Sequence, residues 1–332
     1  MDWTPTETLL KEKKPFRRDL LFLSPRTSHR NLTHYWSCPI SIVTNAKERM
    51  LTTVDHIIIA VTDLLTATTD YTTLLGRLPS WQGSHPDYGT VNTLFQLENT
   101  YIELLAPAGQ GLATEHINKV LNGRDTRLGG LVFGTDDAAA FIDHAGKQGL
   151  AASDPVPGHG VDSLTGAERR WRNIFWDANA ARGIFSFCIE HETGSSLREA
   201  QPTGAGAGAV TGVDHVVVKT QSIEAAKRFY GEQLGIRLAL EQQVPEWGGT
   251  QLFFRTSSMN IEVIASDIAP AQDALWGLAL KSPDLEVTQA RLSEAGVDVS
   301  DIREGRKPGT RVCTVKSHAL NVPTLLIEHE TV

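Results

Sequence analysis

The stretch VDHIIIAV at residues 54–61 returns as VDHVVV at residues 213–218, and this recurrence decides the fold. Each is a β-branched run bounded by polar residues, the signature of a strand. Each leads into an amphipathic segment closing on Leu-Gly: DLLTATTDYTTLLG ends at Gly76 and SIEAAKRFYGEQLG at Gly235. Apolar residues at helical spacing, with glycine at the C-cap position, predict a helix in both places. Two alternating strands follow, TVNTLFQLEN and TYIELLAP in the first copy, TQLFFRTSS and MNIEVIASD in the second. His56 to Glu103 and His215 to Glu262 both span 47 residues, so a single shift of 159 relates the two pairs. A shared offset for polar residues inside apolar strands marks a true repeat.

Each unit has a weaker partner. LGGLVFG (128–134), DDAAAFIDHAGKQG, RRWRNIFW and GIFSFCIEHE continue the first half; LWGLALKS, DLEVTQARLSEAG, RVCTVKS and PTLLIEHE continue the second. The chain therefore reads as four βαβββ modules. One such module has an apolar sheet face that must be buried against a second module. Paired modules predict an α+β protein with two domains, each a curved mixed eight-stranded sheet around a cleft. The expected boundaries are 50–197 for the first domain, 198–211 for a Gly/Ala/Thr-rich linker and 212–332 for the second.

With 332 residues and a hydrophobic fraction of 41%, the chain can build a core in each half. A net charge of −8 excludes a broad nucleic-acid footprint. No apolar run reaches the ~20 residues of a membrane-spanning helix. Cys38, Cys188 and Cys313 form no metal-binding spacing, and sparse, odd cysteines point to a reducing, cytoplasmic setting. Residues 1–49 differ from the rest and read as a disordered tail or a mis-assigned start ahead of Met50. The acid-free stretch 20–47, which is similar to a transit peptide, supplies the alternative reading. Asn31 opens a lone NLT sequon.

The VDH-strand-helix-Leu-Gly openings and the Ile-Glu motifs of the closing strands resemble the glyoxalase/bleomycin-resistance/dioxygenase (vicinal oxygen chelate) superfamily over residues 50–332, and the first half resembles its glyoxalase-like domain family. The resemblance implies a divalent metal (nickel, zinc, manganese or iron) and a small substrate with neighbouring oxygens. The implied ligands are His56, Glu103 and Glu190 in the first domain, and His215, Glu262 and Glu328 in the second. It also implies that Glu190 or Glu328 moves a proton in a glyoxalase-type lyase or isomerase reaction. The place of a further family ligand falls near Gly130 and Gly277, which offer no side chain. That departure keeps open a second reading, a binding protein of the bleomycin-resistance type that sequesters its ligand.

The residues give an independent argument. Alternation sets Glu103 opposite Ile102 and Leu104, and Glu262 opposite Ile261 and Val263. A carboxylate in an apolar strand is costly unless it meets water, a partner or a metal. If Glu190 and Glu328 face the clefts, the adjoining His191 and His329 face the helices or solvent. Arg172, on one strand face with Arg170, could clamp an anion or lie on a solvated face. Arg311, with Arg306 and Lys307 around a Pro-Gly turn, forms an anion-binding lip or a plain turn. PVPGHGVDS, carrying His159, reads as a mobile lid. Oligomeric state is left open.

Overall fold

The computed structural model describes residues 51, 53–192, 206–244 and 249–330, and these belong to one compact unit. The expected tail, the Asn31 sequon, Cys38 and residues 198–205 of the expected linker lie outside the described residues.

The first domain runs β1 (Thr53–Val61), α1 (Leu64–Leu75), β2 (Trp81–His85), β3 (Thr90–Gln96), β4 (Tyr101–Pro107), α2 (Leu112–Leu121), β5 (Thr126–Gly134), α3 (Ala138–Lys147), β6 (Val156–Asp162), β7 (Glu168–Phe175) and β8 (Phe185–His191). The second runs β9 (Gly212–Thr220), α4 (Ile223–Ala226, continuing as a π-helical segment Lys227–Gln233), β10 (Arg237–Val244), β11 (Gly249–Arg255), β12 (Asn260–Ala265), β13 (Ala274–Lys281), α5 (Leu285–Glu294), β14 (Arg303–Glu304), β15 (Thr310–Val315) and β16 (Thr324–His329). The four βαβββ modules are present. The side chains of Asp63, Asp137, Ser222 and Asp284 each accept a backbone N–H at the start of the module helix. Gly76 ends α1 with φ 67°, as its position predicts.

The two sheets differ from each other. In the first domain β2 pairs with β6 through Gly83 and Ser84, closing a barrel in the order β1-β4-β3-β2-β6-β7-β8-β5. The second domain stays an open sheet, β10-β11-β12-β9-β13-β16-β15-β14, because β14 has two residues and does not reach β10. The cleft expected in the first domain is thus the interior of a barrel whose strands close on themselves. Helix α2 is an addition to the module plan: Ile117 and Leu121 pack on Ile58, Ala60 and Leu105, and no helix separates β12 from β13.

The domains meet about a pseudo-twofold axis that repeats the internal offset. Asn99 and Ser258 are 159 residues apart (258 − 99), as are Val54 and Val213 (213 − 54). The Asn99 side chain accepts the N–H of Val213 and donates to its carbonyl, while the Ser258 hydroxyl accepts the N–H of Val54 and donates to its carbonyl. The helices repeat the exchange. Arg291 of α5 donates to Thr73 O and Leu74 O at the end of α1, and His144 of α3 faces Glu232 O at the end of the π-helical segment, 3.3 Å away. One apolar core runs through both domains, from Tyr71 and Phe141 to Phe229 and Leu292. Asn99→Ala removes bonds to three backbone groups (Val213 N–H, Val213 O and Ser258 O). It is expected to cost about 1–3 kcal/mol in urea unfolding; a loss below about 0.5 kcal/mol would remove the clamp from the account of domain association.

Candidate functional site

The β1 and β4 strands run parallel and side by side, and they carry His56 and Glu103 onto the inner wall of the barrel. His56 Nε2 lies 3.3 Å from Glu103 Oε2, and His56 Nδ1 lies 2.8 Å from Asp55 Oδ1. Asp55 reaches its neighbour because β1 has a register irregularity between Val54 and His56. Its other oxygen holds His191 Nε2 at 3.0 Å. Across the sheet, Asn92 Nδ2 donates to Glu103 Oε1 at 2.7 Å and lies 3.3 Å from His85 Nε2, while His85 Nδ1 meets Thr90 Oγ1 at 3.0 Å. Tyr101 stacks on the His56 ring with centroids 4.6 Å apart.

Environment separates the two histidines. Burial alone would lower the His56 pKa, but hydrogen bonds and charges from Asp55 and Glu103 outweigh it, so His56 titrates above its ordinary value. For His85 burial dominates, and its pKa is lowered. Burial would raise both carboxylates, yet the histidine contacts hold Asp55 and Glu103 below the usual range. Two histidines with opposite shifts thus share a site, linked through Glu103 and Asn92.

The second domain copies the arrangement. His215 Nδ1 lies 2.7 Å from Asp214 and Nε2 lies 3.0 Å from Glu262; Gln251 donates to Glu262, and His329 Nε2 holds Asp214 at 2.7 Å. Burial lowers and the two carboxylates raise the His215 pKa, to about 9 overall. Asp55, Asn92 and their copies escaped the reading of the sequence, although Asn92 and Gln251 stand 159 apart (251 − 92), the offset already in hand.

The expected third member of each set lies elsewhere. Glu190 sits on the outer, helix-facing side of β8, accepting the N–H of Ala138 at the start of α3 and pairing with Arg172. Glu328 accepts the N–H of Leu285 at the start of α5 and pairs with Arg311, which also holds Glu286. A carboxylate against a helix N-terminus is in a favourable field. These four residues, expected as metal, proton-transfer and anion-binding groups, are therefore held in two separate pairs, Arg172–Glu190 and Arg311–Glu328, away from His56 and His215. The alternation was sound but its phase was reversed: Phe185, Phe187 and Ile189 line the interior, and His191 and His329, expected on the outer face, reach the inner aspartates. The PVPGHGVDS segment is strand β6, held to β7, rather than a free lid.

A divalent ion in the first barrel would find two convergent side-chain donors, His56 and Glu103, with Glu190 on the opposite face. Among the described residues no group of three His, Cys, Asp or Glu side chains is placed to hold a metal. The donor set does not fit the three-ligand site that the resemblance implies.

A cavity of about 950 Å³, open to solvent, runs from the barrel interior past α2 to Gln272–Leu275 of the second domain. Its β1–β4–β3–β2 wall carries His56, His85, Asn92 and Glu103, and Arg169 and Asn173 of β7 add polar groups opposite. Its β8–β7 wall is aromatic, with Phe175, Phe185, Phe187 and Trp171. Gly158 lies flat against the Trp171 indole, where a Cβ has no room.

Comparison with known proteins agrees with this architecture. The glyoxalase-like domain model matches residues 54–211, and that of the glyoxalase/bleomycin resistance protein/dioxygenase superfamily matches residues 214–314. A mutant 4-hydroxymandelate synthase from Streptomyces coelicolor superposes with a TM-score of 0.61 at 14% identity, covering 84% of this chain and 93% of that one. A xylose isomerase-like TIM barrel/4-hydroxyphenylpyruvate dioxygenase fusion protein gives 0.58 at 12% identity, covering 85% of this chain and 49% of that one. A hypothetical protein from Staphylococcus aureus gives 0.56 at 12%, covering 83% and 98%. No curated protein matches the chain. Two matched domains, four modules and this fold place the chain in the glyoxalase/bleomycin resistance protein/dioxygenase (vicinal oxygen chelate) superfamily.

Proposed function

We propose that the first barrel binds an oxygenated organic molecule and moves a proton on it, in a lyase- or isomerase-type reaction. The observation that carries this reading is the placement of His56 and His85 on one cavity wall, linked through Glu103 and Asn92, with the carboxylates raising the pKa of the first and burial lowering that of the second. Neutral His85, with its Nδ1–H on Thr90 Oγ1, takes the proton from a carbon beside a carbonyl onto Nε2, giving up the long 3.3 Å contact with Asn92. The electron pair moves onto the carbonyl oxygen, and the His56 Nε2–H supports the charge that develops there. The long 3.3 Å contact to Glu103 lets a substrate oxygen compete for that proton. Asp55 fixes the His56 ring, and His191 fixes Asp55. Returning the proton to the same or a neighbouring carbon completes an exchange or isomerisation. The metal dependence that the resemblance implies is not required by these residues.

The size and apolar character of the cavity favour a second reading, sequestration without chemistry. Deuterium uptake separates the two. A carbonyl compound with an acidic C–H, such as 1-tetralone, is incubated with protein in D2O and followed by NMR. Catalysed exchange that falls about 100-fold or more in His85→Asn and in His56→Gln is expected. Tight binding with no catalysed exchange would replace the enzyme reading with sequestration.

A further inference from the structure

We infer that the ligand of the first barrel has a planar, ring-containing body that lies on the β8–β7 wall, with its oxygen-bearing edge toward His56 and His85. This inference rests on the barrel being the ligand site and names the class of molecule it takes. Space is the first reason. A three-carbon 2-oxoaldehyde has five non-hydrogen atoms, and at on the order of 30 Å³ each it would leave most of the 950 Å³ empty. The second reason is the wall itself. Phe175–Phe187 and Phe185–Phe187 centroids lie 5.3 and 5.2 Å apart, and His116 from α2 approaches Phe185 at 4.1 Å. At the polar edge, Phe187 stands 6.3 Å from His56 and Trp171 stands 5.5 Å from His85. A flat ring inserted here meets rings on one side and hydrogen-bonding groups on the other.

The second domain supplies an internal control. It keeps the Asp-His-Glu-amide set but lacks the wall. The shift of 138 that relates His191 to His329 carries Phe185 to Pro323 and Phe187 to Leu325. Trp171 pairs with His191 and Phe175 with Phe187, whereas Thr310 pairs with His329 and Thr314 with Leu325. None of the four replacements is aromatic. The polar set is therefore common to both domains, and the aromatic surface is particular to the first.

Calorimetric titration of the whole protein with 1-tetralone, its saturated analogue 1-decalone and 2-oxopropanal tests the inference. The expected result is 1-tetralone binding about tenfold tighter than 1-decalone. Phe185→Leu should remove most of that difference and His215→Gln should leave it intact. Phe175→Leu, at a half-buried ring, repeats the test should Phe185→Leu fail to fold. Equal affinity for the two bicyclic ketones would overturn the planar-ring inference and leave the barrel as the ligand site. So would binding of 2-oxopropanal alone. No binding of any of the three would overturn both.

Discussion

Asp55→Ala is expected to destabilise the protein by about 3–5 kcal/mol, the range for removing one partner of a buried ion pair. Asp55 is 5% exposed, and its two oxygens hold two histidines, His56 at 2.8 Å and His191 at 3.0 Å. Removing it leaves both imidazoles without their anchor at a buried position, His56 being 4% exposed. The His191 Nδ1 atom already lacks a partner, so the ring keeps no alternative tie. Asp214→Ala removes the corresponding group from the second domain, where the open sheet lets solvent reach His329. Its cost should be smaller by at least about 1 kcal/mol. Urea unfolding of the two variants checks the pair, and equal losses would show that barrel closure does not set the strength of the contact.

A loss of stability between pH 6.5 and pH 9 is the second large effect expected. The folded His215 titrates near 9, above its ordinary value of 6.5. A group raised on folding stabilises fully below its unfolded pKa, and that contribution fades as pH climbs through the folded value. The shift corresponds to about 3 kcal/mol. His56 is raised in the same direction by the same kinds of neighbours and adds to the loss. His215→Gln keeps hydrogen-bonding capacity without the charge, so it should flatten the second domain's share of the pH dependence. Thermal melts of wild type and variant at pH 6 and pH 9.5 decide it. A wild-type melting temperature that does not fall, or a variant that falls as steeply, would mean that His215 is not charged in the folded protein.

Much of the fold was legible because its information is local and repeated. The VDH strands, the helices closing on glycine and the offset of 159 were enough for four modules and two domains. Barrel closure was not legible, because it depends on β2 meeting β6 far along the chain, and the pairing involves two residues of each strand. The addition of α2 left a trace: Glu103 to Glu190 spans 87 residues and Glu262 to Glu328 spans 66.

At the site, His56, Glu103 and their copies were readable as polar residues inside apolar strands. Glu190 and Glu328 misled for a physical reason. FSFCIEH carries apolar residues on both faces, with Phe187 toward the cavity and Cys188 toward the helices, so alternation alone leaves the phase undetermined. The helix N-termini that hold the two glutamates are set by tertiary packing. His85 was missed because WQGSH offers no periodic apolar face to read.

The most direct test of the account is the rate of 1-tetralone deuterium exchange before and after exhaustive chelation, with the metal content of each sample measured by elemental analysis. Proton transfer by His85, with His56 supporting the oxygen, predicts one unchanged rate and no dependence on bound metal. A rate lost on chelation and restored by one divalent ion per chain would contradict it, and would return His56 and Glu103 to the role of metal ligands.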